Sequence, residues 1–322
     1  YKNNRQDLVG KVKDIYKLSG ISMPTLEKDN NLVDIDPFTV FGLFNKNLRV
    51  ENRIKILSAI VELFDLESKV PNSFDGIPVL NPQNATYYRF IDERSDEDIE
   101  DLWSLFLSAL EYDKKKTTDN KEKVSHYFDI VNNKKGNGNS KTTIGLYWIA
   151  PDSFLNLDSR NQWYIFESGK FPTEISSSLP SIDSKITATK YFQIAETISS
   201  YFNSTEAKFK NFKELSFEAW KYSEIVNKKT RELKMVAESS ALMYDENETI
   251  RYWIYAPGKD SYMWEEFYKR GVMAIGWEEI GDLSLFKNKS ELKDKMKKIY
   301  DPNLSYQNAT HATWQFANEM KV

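Results

Sequence analysis

Trp253, Trp264 and Trp277 fall within 25 residues, three of the eight tryptophans of the chain. The chemistry open to them is stacking. A planar base held against an indole gains about 1–3 kcal/mol whatever its sequence identity. The stretch that carries them, 251–286, reads as strand, turn, helix, strand and loop. An aromatic run, Tyr252 to Tyr255, enters a Pro257-Gly258 turn. The spacing then predicts a short helix with Trp264 and Phe267 on one face, capped by Asp260 or Ser261. Gly271 suits the left-handed position after Lys269 and Arg270. The apolar run Val272 to Ile275 reads as a buried second strand, and Gly276 allows close backbone approach or a kink just before Trp277. Tryptophans on two strands and a helix could form a slot for a flat base. Ordinary core is the competing reading for each, because large aromatics usually serve burial.

The second candidate chemistry is electrostatic. Lys114, Lys115 and Lys116, then Lys134, Lys135 and Lys141, lie in the polar interruption 113–143. Asn137-Gly138 there reads as a hairpin tip. The stretch is either a solvated loop or a loop whose lysines follow a phosphate backbone.

Catalytic chemistry finds no footing. There is no P-loop; the lookalike GNGNSKT at 136–142 has the wrong spacing. No H-E-x-x-H, G-x-S-x-G or dinucleotide fingerprint occurs. Glu291-Leu292-Lys293 has the triplet of a metal nuclease, but reads as part of a helix capped by Ser290, where the chemistry needs a strand. The acidic run 91–101 reads as a solvated helix start, capped by Ser95 or Asp96, whose charges favour the helix dipole. With no cysteine and two histidines, His126 and His311, thiolate and multi-His metal sites are excluded. No catalytic residue, metal or cofactor is assigned to this chain.

These residues need positioning elements, and the chain supplies mostly helices. Leu8, Val12, Ile15 and Tyr16 recur at helical spacing over 5–18. Asp36 and Pro37 read as N-cap and first residue of a helix carrying Phe38, Phe41 and Phe44. Residues 50–64 form an amphipathic helix with Ile54, Leu57, Ala59, Ile60, Val61 and Phe64 on its apolar side. The segment 70–82 is an ordered loop that must pack on something. The run 144–151, GLYWIAP with its preceding Ile144, reads as an aromatic strand, followed by a turn at Asp158-Ser159. Helices follow near 188–202 and over 205–243. The expected domains are 1–240, with the polar loop 113–143 and a connecting helix 205–243, and then 248–322.

At 322 residues, 40% hydrophobic and 14% aromatic, the chain has ample apolar surface to fold. A formal charge of −4 gives no overall support to nucleic-acid binding, so such a site must come from a local patch. No apolar run reaches the roughly 20 residues of a membrane span. Lack of cysteine suits a reducing compartment, and a cytoplasmic location is expected. The ends fit a chain cut from a longer protein.

The residues YWIYAPG, Trp264, the run GVMAIGWEEIGDLS at 271–284 and a following helix ending in IY resemble the first half of an EVE domain, a PUA-like β-barrel, in the version found in McrB-type restriction proteins of the AAA+ class. The resemblance covers about 75 residues, 248–322, and IGW…GDLS is its most specific part. It implies an α+β fold: a mostly helical N-terminal domain with a small aromatic-rich sheet, then the first half of a PUA-like barrel. It also implies a DNA-recognition region of a modification-dependent restriction system. By resemblance, Trp253, Tyr255, Trp264 and Trp277, with Gly276 and Ser284 beside them, would read a modified, flipped-out base. DNA and a separate nuclease subunit of the same system would be the partners, with no membrane. The alternatives are an assembly scaffold whose aromatics are core, and a hydrolase, which would need a carboxylate cluster and a metal.

Overall fold

A computed structural model describes residues 1–81, 86–241, 257, 261–302 and 305–318, with the backbone alone over 233–241. Helix accounts for 59% of it and strand for 1%. Among the described residues the one β pairing is an isolated parallel bridge, Lys46 to Leu80. The α+β expectation, with its small sheet and half barrel, is therefore overturned. The chain divides into two compact units, Tyr1–Met235 and Val236–Val322.

Among the described residues the first unit contains ten α-helices, the last of which runs past its end: α1 (Arg5–Ser19), α2 (Pro37–Gly42), α3 (Val50–Leu63), α4 (Asp98–Lys114), α5 (Thr118–Asn133), α6 (Asn139–Ile149), α7 (Ser159–Phe166), α8 (Thr173–Ser178), α9 (Ala188–Phe202) and α10 (Phe212–Ala241). Helix α1 buries Leu8, Val9, Val12, Ile15 and Tyr16 and stops at Gly20 in the left-handed region. Helix α2 starts at Pro37, with the Asp36 carboxylate accepting from the Thr39 amide. In α3 the inward stripe is Arg53, Ile56 and Ala59, rotated from the face the sequence suggests. A single core cluster joins these helices.

The polar interruption is not a loop. Lys115 to Thr117 form the short turn of a helical hairpin between α4 and α5. Val124, Phe128 and Val131 form the inward stripe of α5. Asn137-Gly138 is no hairpin tip, since Gly138 is the N-cap of α6.

Helix α6 replaces the expected aromatic strand. Thr142 to Tyr147 are all buried. A helix buried all round carries consecutive apolar residues, and over a short run this cannot be told from a buried strand by periodicity. The expected turn at Asp158 is instead the N-cap of α7, whose carboxylate accepts from the Asn161 amide.

Gly145 lets α6 sit this deep. A Cβ there would lie 2.8 Å from Phe38 Cδ1 and 2.9 Å from the Tyr87 hydroxyl. Alanine is the better helix former by up to about 1 kcal/mol. Overpacking outweighs that, so Gly145→Ala is expected to lower stability by about 2 kcal/mol in urea unfolding.

The second unit contains α11 (Trp264–Arg270), α12 (Lys289–Ile299) and α13 (Gln307–Asn318), with two short 3-10 turns at Glu278–Ile280 and Leu283–Leu285. Its core is small: Ile280, Leu292, Met296 and Tyr306 are buried, with Trp277, Phe286 and Trp314 packed around them. The run 272–275 is not a strand, and Val272 and Met273 are 47% and 46% exposed. The expected strand at 252–255 lies outside the described residues.

Candidate functional site

Each residue of the expected base-reading slot has a definite place, apart from Trp253 and Tyr255, which lie outside the described residues. Helix α11 does form, and Gly271 takes the left-handed conformation after it, at φ 62°. Its cap is Met263, while Ser261 sits at a positive φ of 60°. Trp264 is 46% exposed and stacks on Tyr268 one turn along, with ring centroids 5.9 Å apart and planes 22° from parallel. Tyr268 is 74% exposed, so this pair presents an open aromatic surface.

Trp277 is differently placed. It meets Tyr300 and Tyr306 edge-on, at 5.2 Å and 6.1 Å, and belongs to the small core. Trp277 is half-buried against this core. A Cβ on Gly276 would meet nothing within 4 Å, so no close approach requires that glycine. Ser284 donates its amide to the Asp282 carboxylate at 2.9 Å, closing a 3-10 turn. Hydrogen bonds from Ser284 hold Asp282 below the usual carboxylate range.

The six candidate lysines do not act as one group. Lys114, Lys115, Lys116 and Lys135 are exposed. Lys134 bridges Asp98 and Asp101, both at 2.7 Å, tying the end of α5 to the start of α4. Burial disfavours its charge, but the two carboxylates outweigh this and raise its pKa. Lys141 donates to the Thr86 and Gly136 carbonyls and lies over the Tyr87 ring. Burial lowers its pKa to about 8. Lys134 and Lys141 are spent on the fold, and the first-turn acids Asp98 and Asp101 serve as partners of Lys134. No group of acids and histidines able to hold a metal occurs among the described residues.

A second group of lysines lies in the C-terminal unit. Helix α12 carries Lys289, Lys293, Lys295, Lys297 and Lys298 against Glu291 and Asp294. Asn288, not Ser290, caps it, accepting from the Glu291 amide. Leu292 and Met296 anchor it inward, so its lysines spread over the remaining faces. Lys289 reaches His311 Nδ1 at 3.0 Å, and Lys295 and Lys298 are exposed. None of these five lysines is ion-paired among the described residues. The same helix packs on the turn that follows Trp277.

Residues 1–222 match a family model described as a domain of unknown function, DUF8425. The chain belongs to this family. Residues 253–322 match a second model, described as a domain of unknown function, DUF8426. No curated protein and no solved structure matches the chain. The DUF8425 segment holds α1 to α9 and the start of α10, while α11 and the basic helix α12 fall in the DUF8426 segment.

Sequence reasoning missed two features. The lysines of α12 stand in the sequence as a short run, KSELKDKMKKI, beside which the polar stretch 113–143 is longer and more conspicuous. Arg53, 5% exposed inside the DUF8425 segment, was also missed. Its signal was spacing: Arg53, Ile56 and Ile60 sit at i, i+3 and i+7, one face of a helix.

Proposed function

We propose that the chain is a DNA-recognition module in which the C-terminal unit makes the contact. The observation that carries this reading is α12, with five lysines, none ion-paired among the described residues. Unpaired lysines on one helix suit phosphate contacts and the counterion release that comes with them. The exposed Trp264–Tyr268 stack adds a surface on which an unpaired base can lie. A role in a modification-dependent restriction system, reading a modified base and working with a nuclease subunit, rests on the resemblance over 271–284. A cytoplasmic location goes with it, since a chain without cysteine suits a reducing compartment. No described helix is long and apolar enough to cross a membrane.

Anisotropy titrations with plain and modified-base duplexes at several salt concentrations test the proposal. The logarithm of affinity is expected to fall linearly with the logarithm of salt, and Lys295→Ala or Lys298→Ala to reduce that slope by about one. Trp264→Ala is expected to weaken binding by about 1–3 kcal/mol where an unpaired base is present. Affinity independent of salt would sink the phosphate contact. Equal affinity for plain and modified duplexes would sink base reading.

One observation favours the assembly scaffold as a second reading. Tyr262, Tyr268 and Leu285 are 73%, 74% and 75% exposed in the same unit, and apolar side chains that join into one exposed patch mark an interaction site. That reading predicts self-association by sedimentation and no salt-dependent DNA binding.

A further inference from the structure

The N-terminal unit opens into a cleft of about 550 Å³ between α2, α3, the 70–77 segment, α6 and α10. That volume lies in the range of small-molecule sites, roughly 300–1,000 Å³. Phe41, Phe44, Phe74, Trp148 and Phe217 give it an aromatic wall. The wall is built rather than incidental. Gly76 sits at φ +75°, and a Cβ there would meet Phe217 Cδ2 at 2.5 Å, so the loop backbone presses directly on α10. Trp148 Nε1 donates to the Pro78 carbonyl at 2.9 Å, and the Leu80 amide to the Asn45 carbonyl at 2.9 Å. These bonds hold the loop against the helices.

Arg53 stands in this wall, 5% exposed. Its Nη2 donates to Asn45 Oδ1, a neutral acceptor. Its guanidinium carbon lies 4.0 Å from the Phe74 ring centroid. Its Nε is buried with no hydrogen-bond partner. No carboxylate pairs with it among the described residues. Arg94, comparably buried, shows the usual arrangement, with Glu27 at 2.5 Å. A buried cation without a counter-ion is costly, and the cost is relieved by an anion that enters the cleft. Burial lowers the Arg53 pKa to about 10, so it stays charged at neutral pH.

The other charges of the cleft limit the anion. Asp75 and Glu214 line it, and Glu214 accepts from the Lys210 amide at 2.9 Å. Lys213, also in the lining, pairs with Asp152 at 2.8 Å. Two acids against one unpaired guanidinium disfavour a dianion such as phosphate. A planar carboxylate matches the guanidinium fork, and the aromatic wall calls for an apolar body.

We infer that this cleft binds a small apolar monocarboxylate, its carboxylate on Arg53 and its body against the aromatic wall. The site is independent of DNA contact by the C-terminal unit. Calorimetry on the full chain tests it with two acids, 1-naphthoate and octanoate, each against its neutral amide. At least one acid is expected to bind more tightly than about 1 mM and at least about tenfold better than its amide. The two acids distinguish an aromatic from an aliphatic body. Arg53→Met is expected to remove the preference for acid over amide. Leu57→Trp, which leaves Arg53 in place and fills the cleft, is expected to abolish binding while circular dichroism stays unchanged. The inference is overturned if neither acid binds, if acid and amide bind alike, or if binding survives Leu57→Trp.

Discussion

Asp36→Ala is expected to lower the stability of the N-terminal unit by about 3 kcal/mol in denaturant unfolding, combining a lost N-cap with two orphaned buried donors. Asp36 is fully buried. Its Oδ1 accepts the Thr39 amide at 3.0 Å and its Oδ2 accepts the Thr39 hydroxyl. That hydroxyl in turn accepts the Tyr87 amide at 2.9 Å. Alanine leaves the Thr39 N–H and O–H inside the protein with no acceptor. A loss below about 0.5 kcal/mol would mean that this chain of bonds does not hold α2 in place.

The same carboxylate makes stability depend on pH. Burial pushes its pKa up to about 6, from an ordinary 3.8, against the pull of the Thr39 hydrogen bonds. Between these values the folded protein keeps a proton that the unfolded chain has lost. The contribution of Asp36 is therefore most favourable below about pH 4 and falls as pH rises towards 6, by up to about 3 kcal/mol at about 1.4 kcal/mol per unit. Asp36→Asn keeps an acceptor for the Thr39 amide and is expected to flatten this part of the profile. An unchanged slope in the variant would assign the pH dependence to another group.

Arg94→Met is expected to cost about 3 kcal/mol, because it leaves the Glu27 charge buried without its counter-ion. Glu27 is 2% exposed, and its carboxylate also accepts the Lys28 and Ile91 amides, both at 2.9 Å. Those two bonds can be kept by a neutral acceptor. The double variant Glu27→Gln/Arg94→Met is therefore expected to recover more than half of the loss, a coupling that a double-mutant cycle reads directly. If the double variant is no more stable than Arg94→Met, the cost is one of lost packing on Tyr88, over whose ring the guanidinium lies at 4.9 Å.

Strong periodicity and some helix ends are legible in the sequence, although the caps of α4, α11 and α12 are Glu97, Met263 and Asn288 rather than the residues expected. Asp36-Pro37, the Leu8–Tyr16 stripe and Gly271 all do locally what their chemistry suggests. The errors arose where local signals have two meanings. Asn137-Gly138 fits a hairpin tip and also a helix start, and packing chose the helix. The run 144–149 has no alternation, so nothing local separates a buried strand from a helix surrounded by core. In 113–143 the charges hid the spacing of Val124, Phe128 and Val131. The site suffered in the same way. Lysine type alone does not show that Lys134 and Lys141 are engaged inside the fold, because their partners Asp98, Asp101 and Thr86 are 33 to 55 residues away in sequence. The worth of Arg53 depends on having no carboxylate beside it, which only the packed structure shows.

The central claim, that the C-terminal unit contacts DNA, is tested most directly by locating the contact. Photocrosslinking of the full chain to a duplex, followed by peptide mapping, is predicted to label α11 and α12, within 264–299, and to lose the α12 signal in a Lys295→Ala/Lys298→Ala variant. Crosslinks confined to the N-terminal unit, or labelling of 264–299 unchanged by that variant, would contradict it.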